Sequence, residues 1–477
     1  MRSDLMRVAA ALGAAAVLFP VLPPSASAAV PSSATVESYM RQAFEATSVP
    51  GLAAVVTDGA RTVYAGGLGR DATGGAITAD SPMRVASVSK SMTAAAVLTL
   101  VDEGKVRLDE PVPTYLPDFT MADPRAARIT VRQLLNQTSG LSDAGVDIPA
   151  VERASSLAGY VAVLRTGHLT ADPGKRMAYC NVNYDLAARV VEAVTGRGFP
   201  DVMRERVFGP LGMADSGIGS PSVGGYVSVF GAWVGRDELP GFTAGGAGDV
   251  VTTATDMGRW LASQTGRGRR LLTPGSLAAM QVPSAVNAYG MGWQRGTVGS
   301  RSLLVHSGNL FTHGAIQAIS PETGHGFAVM TNSASLHEAS YDVLVGLVEM
   351  VSGRAPTIPG AGRQQTELVL GGVGLVALGL GVTAVRRARH WATRGATRSR
   401  ASTHRRWRAA LRMVPALVPV LVFASYPQLL SLLMNGRTVT WAQLMYFPLP
   451  LTLVLGAAAL SGLATIAARL LRLRSVG

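Results

Sequence analysis

Residues 29–355 read as an α+β domain and residues 368–477 as a membrane domain, and three observations carry that division. Strand-like patterns are confined to the two ends of the first region, with helical periodicity between them. Acidic residues stop at Glu367. Beyond it three apolar runs follow, each close to the roughly 20 residues that cross a bilayer.

Taken in chain order, residues 1–28 hold Arg2 and Arg7, an apolar run from Val8 to Leu22, and Ala26-Ser27-Ala28 before Ala29. That layout is a secretory signal with a small-residue cleavage site, and the run is short for an uncleaved anchor. The mature chain is expected to begin near Ala29. An opening helix is expected over residues 37–46, then strands over 52–57 and 62–65 joined by the Asp58-Gly59 turn. Helical patterns dominate residues 87–208, including 131–135, 160–165 and 183–195. Strands return over 288–294, 302–306, 315–320 and 326–331, and a helix over 337–351 closes the domain. Pro356 and Pro359, with glycines around them, mark residues 356–367 as a linker.

Transmembrane helices are expected over residues 368–385, 413–433 and 444–468, the last two kinked by prolines such as Pro419 and Pro450. Ten arginines crowd residues 386–412, and Arg469, Arg472 and Arg474 end the chain, whereas residues 435–443 hold only Arg437. The positive-inside rule puts the arginine loop and the C-terminus in the cytoplasm and residues 29–355 outside the cell, in agreement with the signal. The expected location is thus a multi-pass cell-membrane protein with an extracellular domain. No charged residue lies inside the three runs, which argues against a transport pathway.

The formal net charge of +13 comes from this membrane segment, since residues 29–366 carry about −1. Nucleic-acid binding therefore has no support in the main domain. The arginine loop is explained by topology and by contact with anionic lipid headgroups.

Ser87-Val88-Ser89-Lys90 heads an apolar stretch running to Gly104, and Lys90 is the only one of three lysines with a serine three positions before it. Residues i and i+3 share one helix face, so hydroxyl and amine meet. At a helix start the macrodipole favours negative charge on that hydroxyl, and a dry setting eases Lys90 toward its neutral form. The stretch is apolar nearly all round, as in a buried central helix, with Gly104 as its C-terminal cap.

Tyr179-Cys180-Asn181 and His306-Ser307-Gly308 follow in that order. Together, Ser-x-x-Lys, Tyr-x-Asn and His-Ser-Gly resemble the signature of the penicillin-recognising serine hydrolases. They are most similar to the branch of class C β-lactamases, D-alanyl-D-alanine carboxypeptidases and related esterases. Thr138-Ser139-Gly140-Leu141, Ala244-Gly245-Gly246 and Tyr289-Gly290-Met291-Gly292-Trp293 add to the likeness, which spans about residues 34–355. The resemblance implies an α/β fold: an antiparallel sheet flanked by helices, built from the first and last segments, with a helical subdomain inserted.

It also implies that Ser87 attacks a carbonyl while Lys90 and Tyr179 handle its proton, Tyr179 later protonating the leaving group. Serine needs such an adjacent base; which of the two serves is left open by the sequence. Asn181 would bind a substrate amide and steady Lys90, or else simply cap the helix that follows it. The N–H groups of Ser87 and Asn309 would form the oxyanion hole, with Ser307 and Gly308 beside them. His306 stands where the β-lactamases carry lysine. Histidine lacks a permanent charge at neutral pH, so recognition of a substrate carboxylate is less assured, although a substrate-facing role is expected for it.

Cys180 is the single cysteine, so no internal disulfide forms; it is read as a small filler and labelling site rather than a nucleophile. Neither metal-ligand spacing nor a phosphate loop is present, and no cofactor is expected. The sequence thus points to a membrane-anchored extracellular serine hydrolase acting on a small-molecule or peptide substrate, cell-wall D-alanyl peptides included. β-Lactams and simple esters are the alternatives within that chemistry. A catalytically silent binding module is the alternative outside it.

Overall fold

The computed structural model describes residues 31–241, 245–396, 407 and 410–474. The expected signal at residues 1–28 and much of the 386–412 arginine loop lie outside the described residues.

The central sheet has six antiparallel strands: β1 (Gly51–Asp58), β2 (Arg61–Gly69), β3 (Gln294–Val298), β4 (Arg301–Asn309), β5 (Gly314–Ile319) and β6 (His325–Thr331), in the order β2-β1-β6-β5-β4-β3. First and last segments therefore share one sheet, with the helical block between them, which is the α/β arrangement the resemblance implies. Strand β1 pairs with β6 in the register Leu52 to Thr331 through Asp58 to His325.

Strand β1 is buried along both faces because helices cover both. Leu52, Ala54 and Val56 pack with helices α1 (Ser33–Thr47) and α5 (Ala339–Val351). Ala53 and Val55 face the larger core, which holds α2 (Ser89–Asp102), α3 (Val182–Thr195) and α4 (Ala254–Gln264). Every residue of α2 from Ser89 to Leu98 is buried, as its all-round apolar sequence requires. Gly104 takes φ +71° just after it and lets the chain reverse.

One expected strand is not formed. Residues 288–294 make a turn, and the edge strand starts only at Gln294. Gly292, at φ +77°, lies so close to α2 that a Cβ would stand 2.4 Å from the Ser91 Cα. The segment is folded across the head of α2 instead of extending the sheet.

After the domain, α6 (Gly362–Arg386) begins six residues before the expected span, inside the expected linker. The expected second span divides into α7 (Val414–Ala424) and α8 (Tyr426–Leu433), bent by 63°. Pro427 sits in the first turn of α8, where its ring and missing N–H prevent the two from continuing as one helix. Helix α9 (Leu449–Arg474) starts five residues after the expected boundary. Among the described residues, α6 and α9 are long and apolar enough to cross a membrane, and α7 with α8 would make a third if taken as one bent span. Small residues bring them together: Gly381 meets Ser461, and Gly462 meets the Ala416 carbonyl.

Candidate active site

Ser87 lies in a 3-10 turn, Ala86–Val88, that leads into α2 rather than in the α-helix itself. Ala86 is held at φ +48°, an unfavourable conformation for a residue with a Cβ. Ser89 fastens the turn: its hydroxyl donates to the Ala86 carbonyl at 2.6 Å and accepts from the Val250 N–H at 3.1 Å.

Lys90 is fully buried, and its Nζ donates to Ser87 Oγ (2.9 Å), Asn181 Oδ1 (2.9 Å) and the Ala247 carbonyl (2.7 Å). Three acceptors match the three donors of an ammonium group. Asn181 begins α3, but its side chain makes no capping bond, so of its two expected uses the structure realises the contact with Lys90. The Tyr179 ring lies beside the same amine, with Nζ 4.9 Å from its centroid. The ring is flanked edge-on by Tyr289 at 6.2 Å.

His306 is placed differently from the expectation. Its ring is buried, Nδ1–H donates to the Ser307 carbonyl (2.7 Å), and Nε2 accepts from the Tyr289 hydroxyl (2.9 Å). Burial, and then the nearby Lys90 charge, push its pKa down to about 3. The imidazole is therefore neutral and offers the cleft no free nitrogen. Gly308 runs against the Ser87 turn. Leu310 N–H pairs back to His313 across the hairpin at 2.8 Å, so by antiparallel alternation the Asn309 N–H faces the opposite, unpaired edge of β4. The Ser307 side chain is exposed at that edge.

Cys180 is fully buried, and burial, with Asp143 nearby, holds its thiol well above the usual range. It is neither nucleophile nor accessible labelling site, which corrects the labelling expectation.

Sequence reasoning missed the carbonyl of Ala247 and the acids behind it. Asp185 accepts from the Ala247 N–H at 3.1 Å and Asp249 from the Gly245 N–H at 2.7 Å. Burial lifts Asp185 to about 6, and burial plus the Asp185 charge lifts Asp249 to about 7. Asp185 stands one helical turn after Asn181, a spacing from which its place behind Lys90 follows.

A cleft of about 270 Å³ opens beside this cluster, lined among others by Asn181, Ala247, Asn309 and Asp143. Two of the three acceptors of Lys90 are thus cleft walls.

Residues 36–348 match the Beta-lactamase family model. The chain is similar to Penicillin-binding protein 4 of Amycolatopsis lactamdurans, 38% identical over 35% of this chain and 44% of that one. It is also similar to the D-alanyl-D-alanine-carboxypeptidase/endopeptidase AmpH of Escherichia coli K12, 27% identical over 68% of this chain and 90% of that one. Among solved structures, the D-amino acid amidase of Ochrobactrum anthropi superposes with a TM-score of 0.57 at 27% identity, covering 67% of this chain and 99% of the amidase. With the family model matching residues 36–348, a range that holds the sheet, the helical block and Ser87–Lys90, the chain belongs to the β-lactamase family and is a serine hydrolase.

Proposed function

We propose that the protein is a membrane-anchored hydrolase that cleaves an amide bond, of D-alanyl peptide type, through an acyl-enzyme on Ser87. The observation that carries this is the 2.9 Å contact of Lys90 Nζ with Ser87 Oγ, made while Asn181 and Ala247 hold two other donor positions. Those two acceptors hold the amine so that its third position is aimed at the Ser87 hydroxyl. Ser87 Oγ bonds to the substrate carbonyl carbon as its proton passes to Lys90. The oxyanion is received by the Ser87 and Asn309 N–H groups. The leaving amine takes a proton by way of Tyr179, and water then releases the acyl group by the reverse sequence.

The relatives' names support an amide: one is a D-alanyl-D-alanine carboxypeptidase/endopeptidase and one a D-amino acid amidase. The neutral, buried His306 leaves the β-lactamase lysine position without charge, so a substrate carboxylate finds no cation there. Three apolar segments and the charge asymmetry of their links support an extracellular site above the membrane.

The test is the intact mass of the full-length protein after incubation with a penicillin and, separately, a fluorophosphonate, beside Ser87→Ala. An adduct missing only from Ser87→Ala is expected. Absence of any adduct on folded protein would remove the hydrolase mechanism.

A further inference from the structure

The cleft lined by Asn181, Ala247 and Asn309 is not walled by the family domain alone. The link between α8 and α9, residues 435–443, lies along its rim, and Arg437, Thr438 and Gln443 line it. Several contacts fix the link there. The Thr438 N–H donates to Asp143 Oδ2 at 3.1 Å, and Gln443 Nε2 donates to Glu152 Oε1 at 3.3 Å. Just beyond, Arg236 donates to the Met445 carbonyl at 2.5 Å, and the Phe311 and Tyr446 rings meet at 6.0 Å.

Arg437 is the chemically notable group on this wall. Its Nε is 3.6 Å from Asp143 Oδ2, and its guanidinium carbon is 5.4 Å from the centroid of the Tyr179 ring. Asp143 is nearly buried, while the Arg437 side chain keeps 34% of its surface exposed. The contact with Asp143 uses the inner nitrogen, and the two outer nitrogens bond to none of the described residues. Other cations near the cleft are committed. Lys90 Nζ is enclosed by Ser87, Asn181 and Ala247, Arg84 is largely buried against Glu238, and His306 is neutral. Five carboxylates line the cleft as well: Glu152 is bound by Gln443, Asp143 anchors the arginine, Glu238 pairs with Arg84, and burial raises the pKa of Asp185 and Asp249.

A fork of two N–H donors without a partner among the described residues matches a carboxylate bidentately. We propose that Arg437 is a specificity-determining residue, which receives a carboxylate of the substrate and so supplies, from the membrane segment, the permanent cation that His306 does not. The substrate class is then a peptide or amide bearing a free carboxylate near the scissile bond. This rests on the Ser87 hydrolase reading above.

The test uses the full-length chain in detergent and two fluorophosphonates, one with a carboxylate-bearing arm and one with that arm as its methyl ester. Labelling rates at Ser87 are read by intact mass. The wild type should react about tenfold faster with the carboxylate probe. Arg437→Gln should bring the ratio near one, and Arg437→Lys should keep part of the preference. A wild type without preference, or an equal preference in Arg437→Gln, overturns the assignment while leaving the hydrolase reading intact. Failure of both probes to label Ser87 overturns both readings.

Discussion

Gly308 passes so close to the Val85 carbonyl that a Cβ on it would stand 2.2 Å from that oxygen and 3.0 Å from the Ser87 nitrogen. The glycine of His-Ser-Gly is therefore a spacing device, letting the edge of β4 approach the Ser87 turn. Gly308→Ala must push strand and turn apart. Its fluorophosphonate labelling should slow by about 10² to 10³, the usual cost of one oxyanion donor. Circular dichroism of the same sample should show the fold retained, and wild-type labelling in the variant would disprove the oxyanion role of Asn309.

Lys90 and Tyr179 can be separated by the leaving group. Fluoride departs without a proton, whereas an amine requires one. Lys90→Met should slow both fluorophosphonate labelling and amide turnover by about 10² to 10⁴. Tyr179→Phe should leave labelling near the wild-type rate and impair amide turnover alone. The reverse pattern would make Tyr179 the base for Ser87.

The buried acids behind Lys90 give a pH signature. Asp249 is lifted to about 7, first by burial and then by Asp185, from an ordinary carboxyl value of about 4. A folded pKa above the unfolded one contributes stability that is complete below about 4 and is lost as pH rises through about 7. Asp249→Asn removes that slope and still presents an oxygen to the Gly245 N–H. Its melting temperature relative to the wild type should rise between pH 4 and pH 8. His306 and His313, both depressed by burial, lose stability in the opposite sense as pH falls below about 6.5, but they are common to the two proteins and cancel in the comparison. A constant difference across that range would show that Asp249 is ionised throughout.

Much of the sheet and of the Ser87 turn was legible because local rules and tertiary packing agree there. Residues 131–135 form the helix expected, since Thr130 and Gln133 close a capping box in plain sight of the sequence. Ser87, Lys90 and Asn181 met because helical spacing and a short motif fixed them. The 288–294 turn failed as a strand because Gly292 answers to the backbone of α2, a long-range contact without local trace. His306 was misplaced for a related reason: only the fold reveals that Tyr289 and the Ser307 carbonyl claim both of its nitrogens. Arg437 lay in a link whose composition speaks of topology, and nothing in the sequence brings it to Tyr179.

Glu367 and Arg363 make the joint between domain and first apolar helix testable. The stretch expected as a linker instead carries a buried pair, 3.7 Å apart, with side chains 1% and 5% exposed. Glu367 accepts from the Ser228 hydroxyl and the Gly231 N–H, both at 2.7 Å, in the hairpin of residues 225–236, and the Arg363 guanidinium lies 4.2 Å over the Trp233 ring. Helix α6 is thus fastened to the catalytic domain by charge removed from water. Removing one partner strands the other, at a cost of about 3–5 kcal/mol, whereas replacing both with apolar groups restores most of it. Thermal unfolding of the full-length chain in detergent should therefore rank Glu367→Ala below the double variant Arg363→Met, Glu367→Leu. If the single variant melts no lower than the double, the pair is solvated and the helix is not held against the hairpin.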